Sequence, residues 1–285
     1  MATPERPTLE QPSSDDLFAE VRAYREARLK RLTAPTGWLS LIGKLWLGEG
    51  SYRIGAAPDA DVWLDVPGVP DLLGTVTRQG TEVRFTAAPG VEAFARGARI
   101  DSLALRSDAE PQPDEVSVGS LRVELIRRGD DFAVRVRDPD SPTRRAFTSV
   151  PAYDIDPRWR IVARFEPQVP QVAFELEDSD GRPRLHLSPG AALFEVDGVP
   201  ARLQLLPEGD DRLFVLFGDV TNRTTTYGAG RFLYAPLPVD GQVVLDFNKA
   251  FNPPCSFTSF AACPLPPAGN RLGFPVPAGE KRPEH

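Results

Sequence analysis

The N-terminal part of the chain carries a helical hydrophobic pattern. Leu17 and Val21 begin an apolar stripe that recurs every three or four residues. Ser and Asp side chains just before the stripe supply N-cap oxygens, and Pro35 stands beyond its end. The pattern predicts one amphipathic helix over residues 15–33. The Pro- and Glu-rich residues 1–12 before it are expected to be mobile.

The rest of the chain has a strand-like pattern. Short apolar or alternating runs are separated by Gly, Pro, Asp and Asn, which favour turns. Such spacing predicts β-sandwiches or barrels and disfavours alternating βαβ units. We therefore predict a mainly β fold with two packed, sandwich- or barrel-like units. The clearest runs lie at 121–126, 132–137, 160–165, 171–176, 212–217 and 242–247.

Turn formers and prolines indicate how the chain is organised. Turn-forming residues fill 138–143 and mark a domain boundary. We predict a tail and helix at 1–34, a first, sandwich-like β unit at 35–145 and a second β unit at 146–285. Ten prolines, interleaved with aromatic residues, fall between residues 236 and 283. Because solvated tails lack such apolar anchors, we expect a Pro-rich segment that wraps the second unit.

The composition narrows the classes of function. The chain has 285 residues, 41% of them hydrophobic, which is enough for packed interiors. A net charge of −7 disfavours nucleic-acid binding, which needs an excess of basic residues. No apolar run matches a signal-peptide core or a membrane span, so we expect a cytoplasmic protein without membrane association. Two cysteines and two histidines are too few for a disulfide scaffold or most histidine-based metal sites.

Residues 52–65 resemble the opening of a forkhead-associated sandwich, in which a strand, a glycine turn and a second strand follow one another. That family holds phosphothreonine with an arginine directly after the turn glycine, and this chain has Ala56 there. The family's Ser-x-x-His element is also missing from residues 69–76. The resemblance therefore implies a sandwich in the first β unit without phosphopeptide binding.

Rare sequence words follow one another in the last third of the chain. FxDxT begins at Phe217, TTYGAGR ends at Arg231, LDFNKAFNPPC covers 245–255, and AGEK covers 278–281. In this order they resemble the domain of unknown function 1684 family of bacteria and archaea. The resemblance implies no activity, but it implies that these residues act together in the fold or in a site. Where that family carries a tyrosine this chain has Phe251, so a phenolic hydroxyl is missing.

Asp219 and Arg231 lie on opposite arms of one strand connection and are expected to pair. Two interpretations of the pair remain open. It is a salt bridge that pins the loop, tolerated in the interior only with further hydrogen bonds. Alternatively, Arg231 binds a carboxylate or phosphate together with the hydroxyls of Thr221 and Thr225. Tyr227 belongs to the same predicted binding set.

Polar side chains also gather further along the chain. Alternation places Asp246 and Asn248 on one strand face, where they either line a site or cap the following turn. Asn252 precedes two prolines that rigidify the approach to Cys255. These residues extend the predicted binding set.

Glu280 belongs to a family word close to the C-terminus, where order is least expected. The resemblance therefore implies that it docks back, on Arg231 or on a backbone amide. If Asp219, Asp246 and Glu280 meet, they form a carboxylate cluster. Such a cluster suits a divalent cation or a carboxylate pair for hydrolysis.

The two cysteines allow three interpretations. Cys255 and Cys263 are buried inert thiols, or they form a disulfide, or Cys255 is a nucleophile. A nucleophilic cysteine usually needs a base, and His186 is the interior histidine. A zinc site built from these three residues has no short-spaced ligand pair to support it.

We predict a protein that binds a small anionic or polar ligand in a pocket of the second β unit. One alternative is a hydrolase or transferase that uses Asp219, Asp246 or Cys255. The other is a structural or interaction module with no small-molecule site. The sequence predicts neither a metal nor a cofactor and leaves the oligomeric state open. The predicted ligand-binding residues are Asp219, Thr221, Tyr227, Arg231, Asp246, Asn248, Asn252, Cys255 and Glu280.

Overall fold

The computed structural model describes residues 12–177 and 183–283 of the chain. The chain divides into two compact units, each with its own hydrophobic core. The central unit is Lys30–Thr148, and the signature unit joins Met1–Leu29 to Ser149–His285. Strands dominate both units, so the predicted mainly β fold is confirmed.

The predicted N-terminal helix is present as α1 (Ser14–Leu32). The hydroxyl of Ser13 accepts a hydrogen bond from the backbone amide of Asp16 at 3.2 Å, which caps the first turn. Acidic residues in the first turn and basic residues in the last complement the helix dipole. Residues 1–11 of the Pro- and Glu-rich start lie outside the described residues. None of the described helices is long and apolar enough to cross a membrane.

The central unit is a sandwich of two sheets around one core. Its strand orders are β1-β11-β10-β9-β6-β7 and β3-β2-β4-β5-β8. The strands are β1 (Leu41–Leu47), β2 (Gly50–Gly55), β3 (Val62–Trp63), β4 (Gly74–Gln79), β5 (Glu82–Ala87), β6 (Ala93–Ala95), β7 (Ala98–Ile100), β8 (Ser102–Ala104), β9 (Glu115–Val118), β10 (Leu121–Arg128) and β11 (Asp131–Arg137), followed by the short helix α2 (Pro142–Ala146).

Strand β5 shows why this unit forms layers. Val83 and Phe85 alternate with Glu82 and Arg84. The two apolar side chains are buried in the core, and the two charged ones are exposed. A strand that buries one face in this way must pack on a second sheet.

The described residues of the signature unit form one antiparallel sheet, ordered β16-β15-β14-β13-β12-β17. The turn between β13 and β14 has positive φ at Asp197 (51°) and Gly198 (81°), as a tight two-residue hairpin requires. The strands are β12 (Arg160–Glu177), β13 (Pro183–Val196), β14 (Val199–Glu208), β15 (Arg212–Phe217), β16 (Arg231–Pro236) and β17 (Gln242–Asp246).

The Pro-rich segment after β17 wraps this sheet, as predicted. It consists of short 3-10 turns and extended chain. Phe247 is fully buried, and its ring lies 6.2 Å from that of Trp159 and 5.2 Å from that of Phe217. These aromatic contacts anchor the start of the wrap in the core. Isolated bridges tie it down further along, between Phe232 and Phe251, Gly218 and Arg271, and Ala152 and Glu280.

Candidate functional site

The connection between β15 and β16 is a closed polar loop, residues 218–230, which we call the threonine loop. The carboxylate of Asp219 accepts hydrogen bonds from the amide of Thr221 at 2.8 Å and from its hydroxyl at 2.6 Å. The hydroxyls of Thr221 and Thr226 lie 2.8 Å apart. Because these hydrogen bonds satisfy the buried side chains of Asp219, Thr221 and Thr226 within the loop, its shape is fixed without a ligand.

Arg231 is the first residue of β16, directly after this loop, and is 0% exposed. Its Nη2 donates to the Asp219 carboxylate at 2.7 Å and to the carbonyl of Val276 at 2.8 Å. Its Nη1 donates to the carbonyl of Ala278. The guanidinium also lies over the ring of Phe217, 5.2 Å from its centre. Burial lowers the pKa of Arg231, and the Asp219 carboxylate opposes that shift.

The predicted pairing of Asp219 with Arg231 is therefore present, and both side chains are buried. A buried ion pair is tolerated when further hydrogen bonds satisfy its remaining groups. Here most of those bonds come from the wrap, since Val276 also donates its amide to Asp219 at 3.2 Å, whereas Nε of Arg231 has no hydrogen-bond partner among the described residues. We call Asp219, Arg231 and the wrap backbone that they bind the frame.

Glu280 docks back on a backbone amide, as predicted, but its arginine partner is Arg28 of α1. The Glu280 carboxylate accepts from the Asn252 amide at 2.7 Å and from Nε of Arg28 at 3.2 Å. Arg28 also donates to the Asn252 carbonyl at 2.8 Å and lies 4.7 Å above the ring of Phe251. Burial raises the pKa of Glu280, and Arg28 opposes that rise. This cluster fixes the C-terminus to the helix within the signature unit.

Asp246 and Asn248 cap local backbone. The Asp246 carboxylate accepts from the amide of Asn248 at 3.2 Å, at the start of a 3-10 turn. The side chain of Asn248 exchanges two hydrogen bonds with the backbone of Asp156, at 3.0 and 2.9 Å. Lys249 lies 3.4 Å from the other Asp246 oxygen. Of the two interpretations left open by the sequence, these contacts favour the cap.

The three carboxylates do not form the cluster considered above. Asp219 binds Arg231, Asp246 lies beside Lys249, and Glu280 binds Arg28. Within residues 12–177 and 183–283, no group of three His, Cys, Asp or Glu side chains is arranged to hold a metal ion.

The two cysteines are not joined by a disulfide. The backbone amide of Cys255 points at the Cys263 sulfur, 3.2 Å away. Cys263 is buried and Cys255 is half-buried. The Tyr227 hydroxyl donates to the Cys255 carbonyl at 3.1 Å, and burial together with the neighbouring thiols raises the pKa of Tyr227. His186 lies on β13, opposite Phe174.

We expect Cys263 to resist thiol reagents in the native protein, because its side chain is buried. Cys255 should react more slowly than in the unfolded chain. Labelling with a maleimide, with and without denaturant, measures both rates, and the single variants Cys255→Ser and Cys263→Ser assign them. Rapid native labelling of Cys255 with an acid-shifted pH profile would instead indicate a thiolate nucleophile.

A cleft of about 580 Å³ opens beside the threonine loop. The cationic side chains among its described lining residues, Arg223 and Arg271, are not among the predicted site residues. Of the predicted set, only Asp219 borders it, and that carboxylate is already bound by Arg231. The cleft is lined by Gly218, Asp219, Val220, Asn222, Arg223, Gly228, Ala229, Leu265, Arg271 and Leu272.

Two glycines make room for the arginines of this cleft. A Cβ on Gly228 would lie 3.1 Å from Cγ of Arg223, and one on Gly218 would lie 3.2 Å from Nη1 of Arg271. Arg223 has φ of 70°, a left-handed conformation that costs a non-glycine residue about 1–2 kcal/mol. The side chains of Arg223 and Arg271 thus lie against glycine backbone beside the frame.

Neither guanidinium of the cleft is neutralised. Within the described residues, Arg223 and Arg271 make no side-chain hydrogen bond and no ion pair, and both are exposed. Arg271 follows Asn270, whose buried amide donates to the Leu216 carbonyl at 2.8 Å and fixes that part of the wrap. The sequence does contain a signal for these two arginines, because each directly follows an asparagine of the signature region, Asn222 or Asn270.

Residues 145–281 match the model of a protein family described as "Protein of unknown function (DUF1684)". This range includes every predicted binding residue and both cleft arginines. A solved structure, an uncharacterised protein from Haloarcula marismortui, is 32% identical. The alignment covers 50% of this chain and 82% of that one, with a TM-score of 0.42. No curated protein matches the chain significantly.

Proposed function

This chain belongs to the DUF1684 family of proteins of unknown function, and we propose that its signature unit binds a small anion in the cleft lined by Arg223 and Arg271. The observation that carries the proposal is the pair of guanidiniums without a carboxylate partner among the described residues. Arginine binds carboxylates and phosphates through two parallel hydrogen bonds. A cleft of about 580 Å³ has the size of ordinary small-ligand pockets.

The frame supports this proposal by holding the backbone that carries both arginines in place without a ligand. Asp219 shapes the loop that carries Arg223. The wrap that carries Arg271 pairs with Gly218, because the Leu272 amide donates to the Gly218 carbonyl at 2.8 Å. Because the backbone at both positions is fixed beforehand, binding has to order only the two arginine side chains.

In this proposal the buried signature residues build the site and do not touch the ligand. Arg231 has its Nη atoms bonded to a carboxylate and to carbonyls, and its side chain is sealed from solvent. The burial of these residues also favours the alternative of a structural module without a small-molecule site, in which the signature residues hold the Pro-rich wrap in place. Direct binding of a ligand by Arg231 and Thr221 stays a prediction, and it requires the frame to open.

We expect Arg271→Gln and Arg223→Gln each to weaken anion binding by about 10- to 100-fold, since each removes charge-assisted hydrogen bonds. Titration calorimetry with inorganic phosphate, citrate and octanoate at constant ionic strength measures the affinities. The melting temperature should change little, because neither side chain has a protein partner among the described residues.

The matched control for these variants is Arg202→Gln. Arg202 is an exposed arginine of the same unit, 3.4 Å from Glu166. It should leave anion binding unchanged. If none of the three anions binds the wild-type protein saturably, or if all three variants bind alike, the proposed function is wrong.

A further inference from the structure

Apolar side chains share the cleft with the two arginines. Val220 is 58% exposed, although it stands within a loop of polar residues. Its neighbours Asp219 and Thr221 turn their side chains into the frame. Val220 lies in the turn closed by the hydrogen bond from the Asn222 amide to the Asp219 carbonyl at 3.1 Å, and its exposure shows that its side chain faces outward. A single exposed valine is ordinary on a protein surface, and it gains meaning only from what surrounds it.

Val220 lies in the same cleft as two leucines. Leu272 is mostly buried, and its amide is held by Gly218 at 2.8 Å. Leu265 is half-buried, and its amide donates to the carbonyl of Glu177 on β12 at 2.9 Å. Both leucines are therefore fixed by backbone hydrogen bonds. The cleft thus combines a preformed apolar wall with two positive charges.

We infer that the ligand is an organic anion with an apolar body, whose acidic group lies at Arg223 and Arg271 and whose body contacts Val220, Leu265 and Leu272. This inference rests on the proposed function and adds the class of ligand. An inorganic anion would use the arginines and leave the apolar wall in water. A simple apolar ligand would leave both guanidiniums without a partner.

The charge of the cleft lining limits the number of acidic groups that the ligand can place there. Among the residues that the structure describes, Arg223 and Arg271 are the only cationic side chains that line the cleft, and the Asp219 carboxylate there is already bound by Arg231. Two guanidiniums suit one carboxylate or one phosphate monoester. The shared chemistry is therefore a single acidic head group on a hydrocarbon or aromatic body.

A series of straight-chain carboxylates tests the inference on the full-length protein. Acetate, butyrate, hexanoate and octanoate carry the same head group with increasing apolar length. Each methylene that leaves water should raise the affinity by up to about fourfold. Titration calorimetry at constant ionic strength measures this slope for the wild type and for variants.

Two variants separate the contribution of the ligand's head group to the affinity from that of its apolar body. Arg271→Gln should weaken the binding of all four carboxylates by a similar factor and leave the slope of affinity against chain length unchanged. Val220→Ser should reduce the slope of affinity against chain length. Val199→Ser is the matched control, because Val199 is a 45% exposed valine on β14 outside the cleft lining.

The outcomes distinguish the two proposals. An affinity that rises with chain length in the wild type, and less in Val220→Ser than in Val199→Ser, supports the inference. Anion binding without any dependence on chain length overturns the inference and leaves the anion site standing. Equal slopes in both valine variants also overturn it. If neither phosphate nor any carboxylate binds, the proposed function itself is wrong.

Discussion

Arg231→Ala is expected to lower the free energy of unfolding of the signature unit by about 3–5 kcal/mol, because it leaves the Asp219 carboxylate buried without its counter-charge. It also leaves the carbonyls of Val276 and Ala278 without a donor. Asp219→Ala should destabilise by a similar amount, since it strands the guanidinium. Hydrogen exchange of the β15 and β16 amides in increasing urea measures the loss within this unit.

The double variant Asp219→Ala/Arg231→Ala should cost clearly less than the sum of the single variants, because the two side chains contact each other. The control is Arg202→Ala, which breaks an exposed ion pair with Glu166 and should cost less than about 1 kcal/mol. If Arg231→Ala is as stable as Arg202→Ala, the pair does not hold the loop and the frame is refuted.

Glu280→Ala is the second substitution for which we expect a large effect, about 3–5 kcal/mol. It leaves the buried Arg28 guanidinium without its carboxylate and the Asn252 amide without an acceptor. The C-terminal end of the wrap should then exchange its amide hydrogens faster. Glu26→Ala removes an exposed carboxylate of α1 and should change stability by less than about 0.5 kcal/mol. Equal stability of the two variants would contradict this expectation.

The pH dependence of stability gives an independent test of Glu280. Burial raises the pKa of this carboxyl above its ordinary value of 4.5, so the native state binds the proton more tightly than the unfolded chain. This tighter proton binding stabilises the native state. Its contribution to the free energy of unfolding is therefore fully present below pH 4.5 and is lost as pH rises through the raised native pKa. Glu280→Gln removes this titration. Its stability should fall less than that of the wild type over that range, and identical slopes would exclude the raised pKa.

The sequence predicts the strands well and their continuity less well. Alternation identifies two runs at 160–165 and 171–176, whereas the structure has one strand, Arg160–Glu177. The prolines between the runs suggested a break. Here the pairing with β13 accommodates them through an irregularity between Pro167 and Val172.

The candidate site is only partly readable from the sequence. Asp219 and Arg231 flank one strand connection, so their pairing follows from local topology. Arg28 and Glu280 stand at opposite ends of the chain, and no local pattern relates them. The proposed role of Arg271 depends on a contact with Gly218 that only the folded wrap creates.

The most direct measurement is a titration of arginine-labelled protein with octanoate, followed by the Nε–Hε signals in nitrogen-15 NMR. Single Arg→Gln variants at 223 and 271, and Arg231→Lys, assign the three signals that matter. We predict saturable shifts for Arg223 and Arg271 and an unmoved signal for Arg231. A saturable shift of Arg231, with Arg223 and Arg271 unmoved, would place the ligand on the buried pair and contradict the division between frame and cleft.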